Sequence, residues 1–195
     1  MSNYTVRIIK FTCVDESGID FLGSDEPVWM FSANSNGTVN TTRSREFSDV
    51  DSGETFKFQT DNNRNIIWPK KAAIGGAPGP IGLSIQLWEK DQGDFDEIER
   101  NTQKALDLGS KVSGVPDWVK KVPSIVVDGI FKFVSDDLMG SKTLLFSEKR
   151  LRRILPTVGL KVRQTFRFGE RGSDLPFGIA GSPDYDLVLE IARVS

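Results

Sequence analysis

The sequence predicts a mainly β protein, an antiparallel β-sandwich interrupted by a two-helix insertion at about residues 94–134. Three observations carry that prediction. Short β-prone segments recur along the chain, with Gly, Pro, Asp or Asn turns between most of them. They do not alternate with helices in the βαβ manner that a parallel sheet requires. One stretch of about forty residues changes its hydrophobic period from two to that of a helix.

Taken in order, residues 6–14 form a first strand, with Ile9, Phe11 and Cys13 on one face against Lys10 and Thr12. Residues 28–32 form a short second strand, and Ala33-Asn34-Ser35-Asn36-Gly37 supplies loop chemistry. Residues 38–47 are polar and Thr-rich, as in an edge strand, and 49–53 mark a turn before a strand at 56–58. The glycine run Gly75-Gly76-Ala77-Pro78-Gly79-Pro80 lacks the Lys-Ser/Thr of a phosphate loop and no helical pattern follows it, so it reads as a crossover loop. Residues 81–88 are a clean strand, with Leu83, Ile85 and Leu87 opposite Ser84, Gln86 and Trp88.

The period then changes. Asp94 followed by Glu97 fits a helix N-cap with its reciprocal partner, and Phe95, Ile98, Thr102, Ala105 and Val112 share a helical face before Gly114 and Pro116 stop it. A second pattern carries Trp118, Val122, Ile125, Val126, Ile130 and Phe133 at spacings of three and four, with Pro123 kinking it or marking its true start. Strands resume at 143–146, 160–163, 165–168 and 185–191. The 195 residues are expected to form one domain carrying this insertion.

Composition narrows the function. Apolar residues make up 38% of the chain, including 13 Phe and 4 Trp, and a chain of this length buries roughly 70% of its unfolded surface without needing cross-links. Its 27 acidic and 25 basic residues leave a net charge of -2, which argues against a nucleic-acid binder acting through general charge. Cys13 is the one cysteine, so an internal disulfide and a cysteine-rich zinc site are excluded, and it reads as a small core hydrophobe. No histidine is present, which removes Ser-His-Asp and Cys-His catalysis and the usual His-ligated metals. Paired-carboxylate chemistry survives that filter, but nothing distinguishes an acid from a base, and the expectation is a non-enzyme. No apolar run approaches the ~20 residues of a transmembrane segment, and residues 1–10 lack a signal peptide's apolar stretch. The expectation is a soluble chain, cytoplasmic or exported without a cleaved signal.

Acidic residues gather where strands end. Asp15, Glu16, Asp20, Asp25 and Glu26 follow the first strand. Glu89, Asp91 and Asp94 follow the strand at 81–88, and Asp136-Asp137 precede a later one. Carboxylates brought to one end of a fold repel and raise one another's pKa unless a cation sits among them. Ca²⁺ suits such loops, since it takes six to eight oxygen ligands in a forgiving shell, whereas Mg²⁺ prefers strict octahedra and Zn²⁺ prefers nitrogen or sulfur. Asp91-Gln92-Gly93-Asp94 lacks the glycine and distal glutamate offsets of an EF-hand.

Three of these segments resemble C2 domains, in that family's order. Asp20-Phe21-Leu22-Gly23-Ser24-Asp25-Glu26-Pro27-Val28 is similar to the first calcium loop, Asp-x-x-Gly-x-Ser-Asp-Pro-Tyr. Leu87-Trp88-Glu89-Lys90-Asp91 is similar to a strand ending Val-Trp-Asp-x-Asp, and Asp136-Asp137-Leu138-Met139-Gly140 to the Asp-Asp-Phe-Ile-Gly that opens the next strand. The resemblance implies a C2-like sandwich with calcium ligands at Asp20, Asp25, Glu89, Asp91 and Asp136 or Asp137, with Asp94 added for its nearness to Asp91. It departs from the family where Glu89 replaces an aspartate, and where residues 92–135 stand in place of a short loop.

Two other features have two readings each. The basic run Lys149-Arg150-Leu151-Arg152-Arg153 is a solvated connecting turn or a membrane or phosphate patch, which Arg163, Arg167 and Arg171 would extend. The stripe through Trp118, Ile125 and Phe133 packs on the sandwich or forms a partner-binding face. The functional expectation is a calcium-binding interaction module, its acidic loops stabilised by Ca²⁺ or brought to an anionic lipid headgroup or protein partner. The alternative is a calcium-independent interaction or structural domain, for example in a toxin or secreted assembly, that uses the helical insertion as its contact surface.

Overall fold

The computed structural model describes residues 2–15, 26–35, 38–59, 65–69, 77–89, 138–169 and 183–195. Two antiparallel sheets make up the described fold. The first is built on β1 (Asn3–Asp15), which pairs along its length with β10 (Asp184–Arg193), itself paired with β9 (Lys161–Phe168). The other edge of β1 is shared by three short strands: β4 (Thr55–Lys57), β5 (Ile66–Trp68) and β6 (Ala77–Pro78). The second sheet runs β3 (Thr38–Arg43), β2 (Pro27–Ser35), β7 (Ile81–Glu89), β8 (Leu138–Phe146). The mainly β, two-sheet antiparallel architecture is thus as expected, whereas the segment expected to hold two helices, 94–134, lies outside the described residues.

β1 departs from simple alternation. Its register against β10 shifts between Ile8 and Lys10, so Tyr4, Val6 and Ile8 face the core before the shift and Phe11 and Cys13 after it. Such a bulge inserts one residue and reverses which face the following side chains take. Ile9, expected beside Phe11 and Cys13, is only half-buried for this reason. Asn65 holds the bulge: its backbone carbonyl accepts from the Ile8 N–H at 2.9 Å, and its buried amide donates to the Ile8 carbonyl at 3.3 Å.

Aromatic rings tie the sheets together. Phe11 of the first sheet lies 5.6 Å from Trp29 of the second, and Trp29 meets Phe168 of the first edge-on at 5.0 Å. Phe47 stands edge-on to Phe11 at 4.7 Å, and Phe56 stacks on it at 5.3 Å. Edge-to-face and offset geometries are those the ring quadrupoles favour. Burying each such side chain contributes roughly 1.5–3 kcal/mol.

The two central strands of the second sheet, β2 and β7, are withdrawn from water on both faces. Trp29, Phe31 and Ala33 point into the sandwich, yet the alternate residues Val28, Met30, Ser32 and Asn34 are buried too, as are Ser84, Gln86 and Trp88 on β7. Some polar groups there find local partners: Ser32 and Thr41 hydroxyls lie 3.3 Å apart, and the Trp88 indole donates to Gln86 at 3.2 Å, while the Asn34 amide has none.

The described helix is α1 (Glu148–Ile154), where the sequence had indicated a connecting turn. The Ser147 hydroxyl caps it, accepting from the Arg150 N–H at 3.2 Å, and Glu148 pairs with Arg152 one turn on. Arg152 and Arg153 fall in its last turn, where cations oppose the helix dipole favourably, and the chain leaves it into Pro156. Leu151 turns inward, fully buried against Gly79, where an added Cβ would lie 2.7 Å from the Leu151 side chain, and Ile154 packs partly buried against the core. The other basic residues of this run are exposed, as a solvated face requires. No described helix is long and apolar enough to cross a membrane.

Candidate functional site

Strand register brings several chain exits to one end of the sandwich. Pro27, opening β2, pairs with Glu89, closing β7, and Trp88 pairs with Leu138, opening β8. In the other sheet Asp15, closing β1, pairs with Asp184, opening β10, and Tyr185 pairs with Phe168, closing β9. The two sheets meet there: a Cβ on Gly140 would lie 3.0 Å from the Gly169 nitrogen and 3.5 Å from the Phe168 Cβ. The chain beyond β3 returns to the same end, since the Phe47 N–H donates to the Pro27 carbonyl and the Gly53 N–H to the Cys13 carbonyl.

The three acidic segments of the sequence are therefore tethered to one end, the first leaving Asp15 and rejoining at Pro27, the second leaving Glu89, the third entering Leu138. Of the expected ligands, Glu89 is the one whose backbone is described, at the strand terminus opposite Pro27. Asp20, Asp25, Asp91, Asp94, Asp136 and Asp137 lie outside the described residues, as do Trp118, Ile125 and Phe133. Among the described residues no group of three or more acidic or cysteine side chains is close enough together to hold a metal ion.

What the described residues do build at this end is a charged ladder. Arg167 forks onto Asp186, Nε donating to Oδ1 at 2.6 Å and Nη2 to Oδ2 at 3.2 Å, and its Nη1 reaches Asp184 Oδ2 at 3.4 Å. The Asp186 hydrogen bonds push the Arg167 pKa up against the opposing effect of burial, with the charges of Asp186 and Asp184 adding to the rise. Asp184 is 8% exposed, and its Oδ1 has no hydrogen-bond partner. Four residues along the same strand pair, toward the opposite end of the sandwich, Arg163 Nε donates to Glu190 at 2.9 Å. Arg163 and Arg167 thus do not extend the basic run of α1. Both are matched across the strand to acids, and Arg167 lies at the end of the sandwich opposite the one that α1 follows.

Sequence reading missed Arg167 with Asp184 and Asp186. A signal existed: basic residues at 163 and 167 on one strand and acids at 186 and 190 on the next share the same spacing of four. That spacing fits antiparallel cross-strand pairing once the register is known. The turn expected at 49–53 is present, with Asp49 held at φ 54° and the Asp51 N–H donating to Glu54 Oε2 at 3.2 Å.

A scan of protein-family models and a search of curated proteins find no match to this sequence. Among solved structures, human GIVD cytosolic phospholipase A2, in complex with methyl gamma-linolenyl fluorophosphonate, aligns over 100% of this chain at 12% identity and TM-score 0.41. This chain spans 17% of that protein's length. The first-lettered C2 domain (domain A) of plant extended synaptotagmin 1 aligns over 99% of this chain and 94% of its own, at 11% identity and TM-score 0.41. Likeness at that level says nothing of what this chain binds. C2 domains, the family resembled by the acidic segments, are among its structural neighbours, and the antiparallel two-sheet sandwich that the resemblance implies is present.

Proposed function

We propose that this chain is a non-catalytic module that binds Ca²⁺ at the end of the sandwich where β1, β7 and β8 meet their acidic segments, and that the ion prepares this end to engage an anionic membrane surface or an acidic protein partner. The observation that supports the reading is the register of Pro27 with Glu89, of Trp88 with Leu138 and of Asp15 with Asp184, which tethers three carboxylate-bearing segments to one end. The donors in those segments are all oxygen, from Asp20, Asp25, Glu89, Asp91, Asp94, Asp136 and Asp137. That set fits a hard cation with a flexible shell and gives no foothold to one that seeks nitrogen or sulfur.

The charge balance of the described residues at this end agrees with a need for added positive charge. Arg167 is engaged by Asp186 and Asp184, so its charge is already matched by theirs. A cation held by the segments would lower the repulsion among their carboxylates, and a ligand that binds only the folded state stabilises it by about 2.7 kcal/mol at a hundred times its dissociation constant.

Calorimetric titration with Ca²⁺ tests the reading. Saturable heat is expected from the native chain and its loss from the Asp91→Asn, Asp136→Asn double variant. Equal heats from both proteins would count against the site. Thermal melting separates the calcium-independent alternative, in which added Ca²⁺ leaves Tm unchanged. Sedimentation with vesicles containing phosphatidylserine, with and without chelator, then reports whether the ion carries the chain to a membrane.

A further inference from the structure

The two sides of the sandwich are finished differently. Between β3 and β5 the chain folds back over one side, and Phe47, Val50 and Phe58 of that stretch are buried in the core. On the other side β8 and β9 are the edges, and among the described residues no strand lies beyond β9. The core is left half-open there. Leu144 on β8 and Val162 and Phe166 on β9 pack against it but stay partly exposed, and Leu160, just before β9, is 42% exposed. One strand further in, Leu187 and Ile191 of β10, the residues paired with Phe166 and Val162, are sealed.

The backbone of β9 is equally unfinished. Its register with β10 runs from Lys161 to Phe168 without a shift. The Arg193 N–H donates to the Leu160 carbonyl at 3.0 Å, which sets the phase of that ladder. Antiparallel pairs alternate between bonded and non-bonded, so Val162, Gln164, Phe166 and Phe168 bond to β10. Lys161, Arg163, Thr165 and Arg167 therefore direct their N–H and C=O groups outward. Their side chains form the outer row, where Lys161 and Arg163 reach Glu190 and Arg167 reaches Asp186. Those acids all belong to β10, so they flank the basic row on one side only.

We propose that the β9 edge accepts an extended segment of a protein partner as an added strand, with apolar residues alternating with acidic ones. The backbone of that segment pairs with the outward groups of Lys161, Arg163, Thr165 and Arg167, and its apolar residues cover Val162 and Phe166. Its acidic residues stand on the unflanked side of the basic row, where opposite charges across strands are favourable. A second copy of this chain is a poorer occupant, because pairing β9 with itself sets bases against bases. Pairing along this edge is independent of the calcium reading and needs no metal.

The probe is a fluorescein-labelled peptide as long as β9, in which valine alternates with glutamate, followed by anisotropy in EDTA. Saturable binding to the native chain is expected, and weaker binding when lysine replaces the glutamates. Two further peptides are N-methylated, one at every valine and the other at every glutamate. Only one of these should fail to bind, because one edge of an added strand faces β9 and the other faces water. Thr165→Pro removes an outward N–H and leaves the bonds to β10 in place, so affinity should fall about tenfold or more with the fold retained. Circular dichroism checks that fold, and the methylated peptides decide the matter with the native chain if the variant misfolds. Analytical ultracentrifugation completes the test, since a dimer that Thr165→Pro abolishes assigns the edge to a second copy. That result overturns the proposal, as does a lack of saturable binding, equal behaviour of the two methylated peptides, full affinity in a folded Thr165→Pro variant, or equal affinity for the lysine peptide.

Discussion

Gly169 shows how tightly one residue is constrained at the end where the chain exits meet. Its φ is +105°, a region that side-chain-bearing residues rarely adopt, and an added Cβ would fall 2.1 Å from the Pro183 carbonyl oxygen and 2.6 Å from Asp184 Oδ1. Gly169→Ala is expected to cost about 1–3 kcal/mol from backbone conformation alone, with the clash adding to it. Urea denaturation monitored by fluorescence measures this as a lower midpoint at unchanged slope. A midpoint equal to that of the native chain would mean that the turn into β10 can move aside. In the sequence this glycine is one of 18 and carries no mark of its role, because what constrains it is the arrival of residues 183 and 184 from a distant part of the chain.

At the scale of the element, alternation made β7 legible, since Leu83, Ile85 and Leu87 are its inward residues at spacings of two. β2 was read too short, because Ala33-Asn34-Ser35 carry loop chemistry but continue the strand and pair with Asn40, Val39 and Thr38 of β3. The opposite faces were not legible. Ser32, Asn34, Ser84 and Gln86 have the polar character of a wet surface but are buried; the Thr41 hydroxyl meets Ser32 and the Trp88 indole meets Gln86, whereas the Asn34 amide has no hydrogen-bond partner. Ser84→Lys tests this directly. On a solvated face it would change stability by no more than about 0.5 kcal/mol; buried as it is, a loss of at least about 3 kcal/mol is expected by chemical denaturation. The phase of β1 was misread for a local reason, because a one-residue bulge at Ile9 has no sequence signature of its own. α1 was missed because seven residues fall below the length at which helical periodicity is readable, although Ser147 as its cap and Leu151 and Ile154 as its apolar contacts are visible afterwards.

For the molecule as a whole, the aromatic residues decide whether two sheets behave as one body. Phe11 lies against Trp29, Phe47, Phe56, Phe58 and Tyr185, drawing on strands of both sheets and on the chain between them. Phe11→Ala is expected to lose about 3–5 kcal/mol, and its fluorescence and circular-dichroism unfolding curves should still coincide, since neither sheet keeps its inner face without the other. Curves that separate would show sheets that unfold independently. The candidate site was legible in part at this scale: the order of the acidic segments and the strands beside them could be read, because each lies next to a clear hydrophobic alternation. Their common end could not be read from spacing. It depends on Pro27 facing Glu89 and Trp88 facing Leu138, pairings that span 62 and 50 residues of sequence (89 less 27, and 138 less 88).

The divided margin of β1 has a consequence for how copies of this chain meet one another. Strand margins recruit further strands when they offer a long, level row of amide and carbonyl groups, the geometry on which fibrils grow. Along β1 that row is capped by pieces of three, three and two residues, set at separate registers on either side of a kink. A second molecule approaching from this side meets a broken template, and crowding at synthesis should favour the solitary chain over growth from this margin.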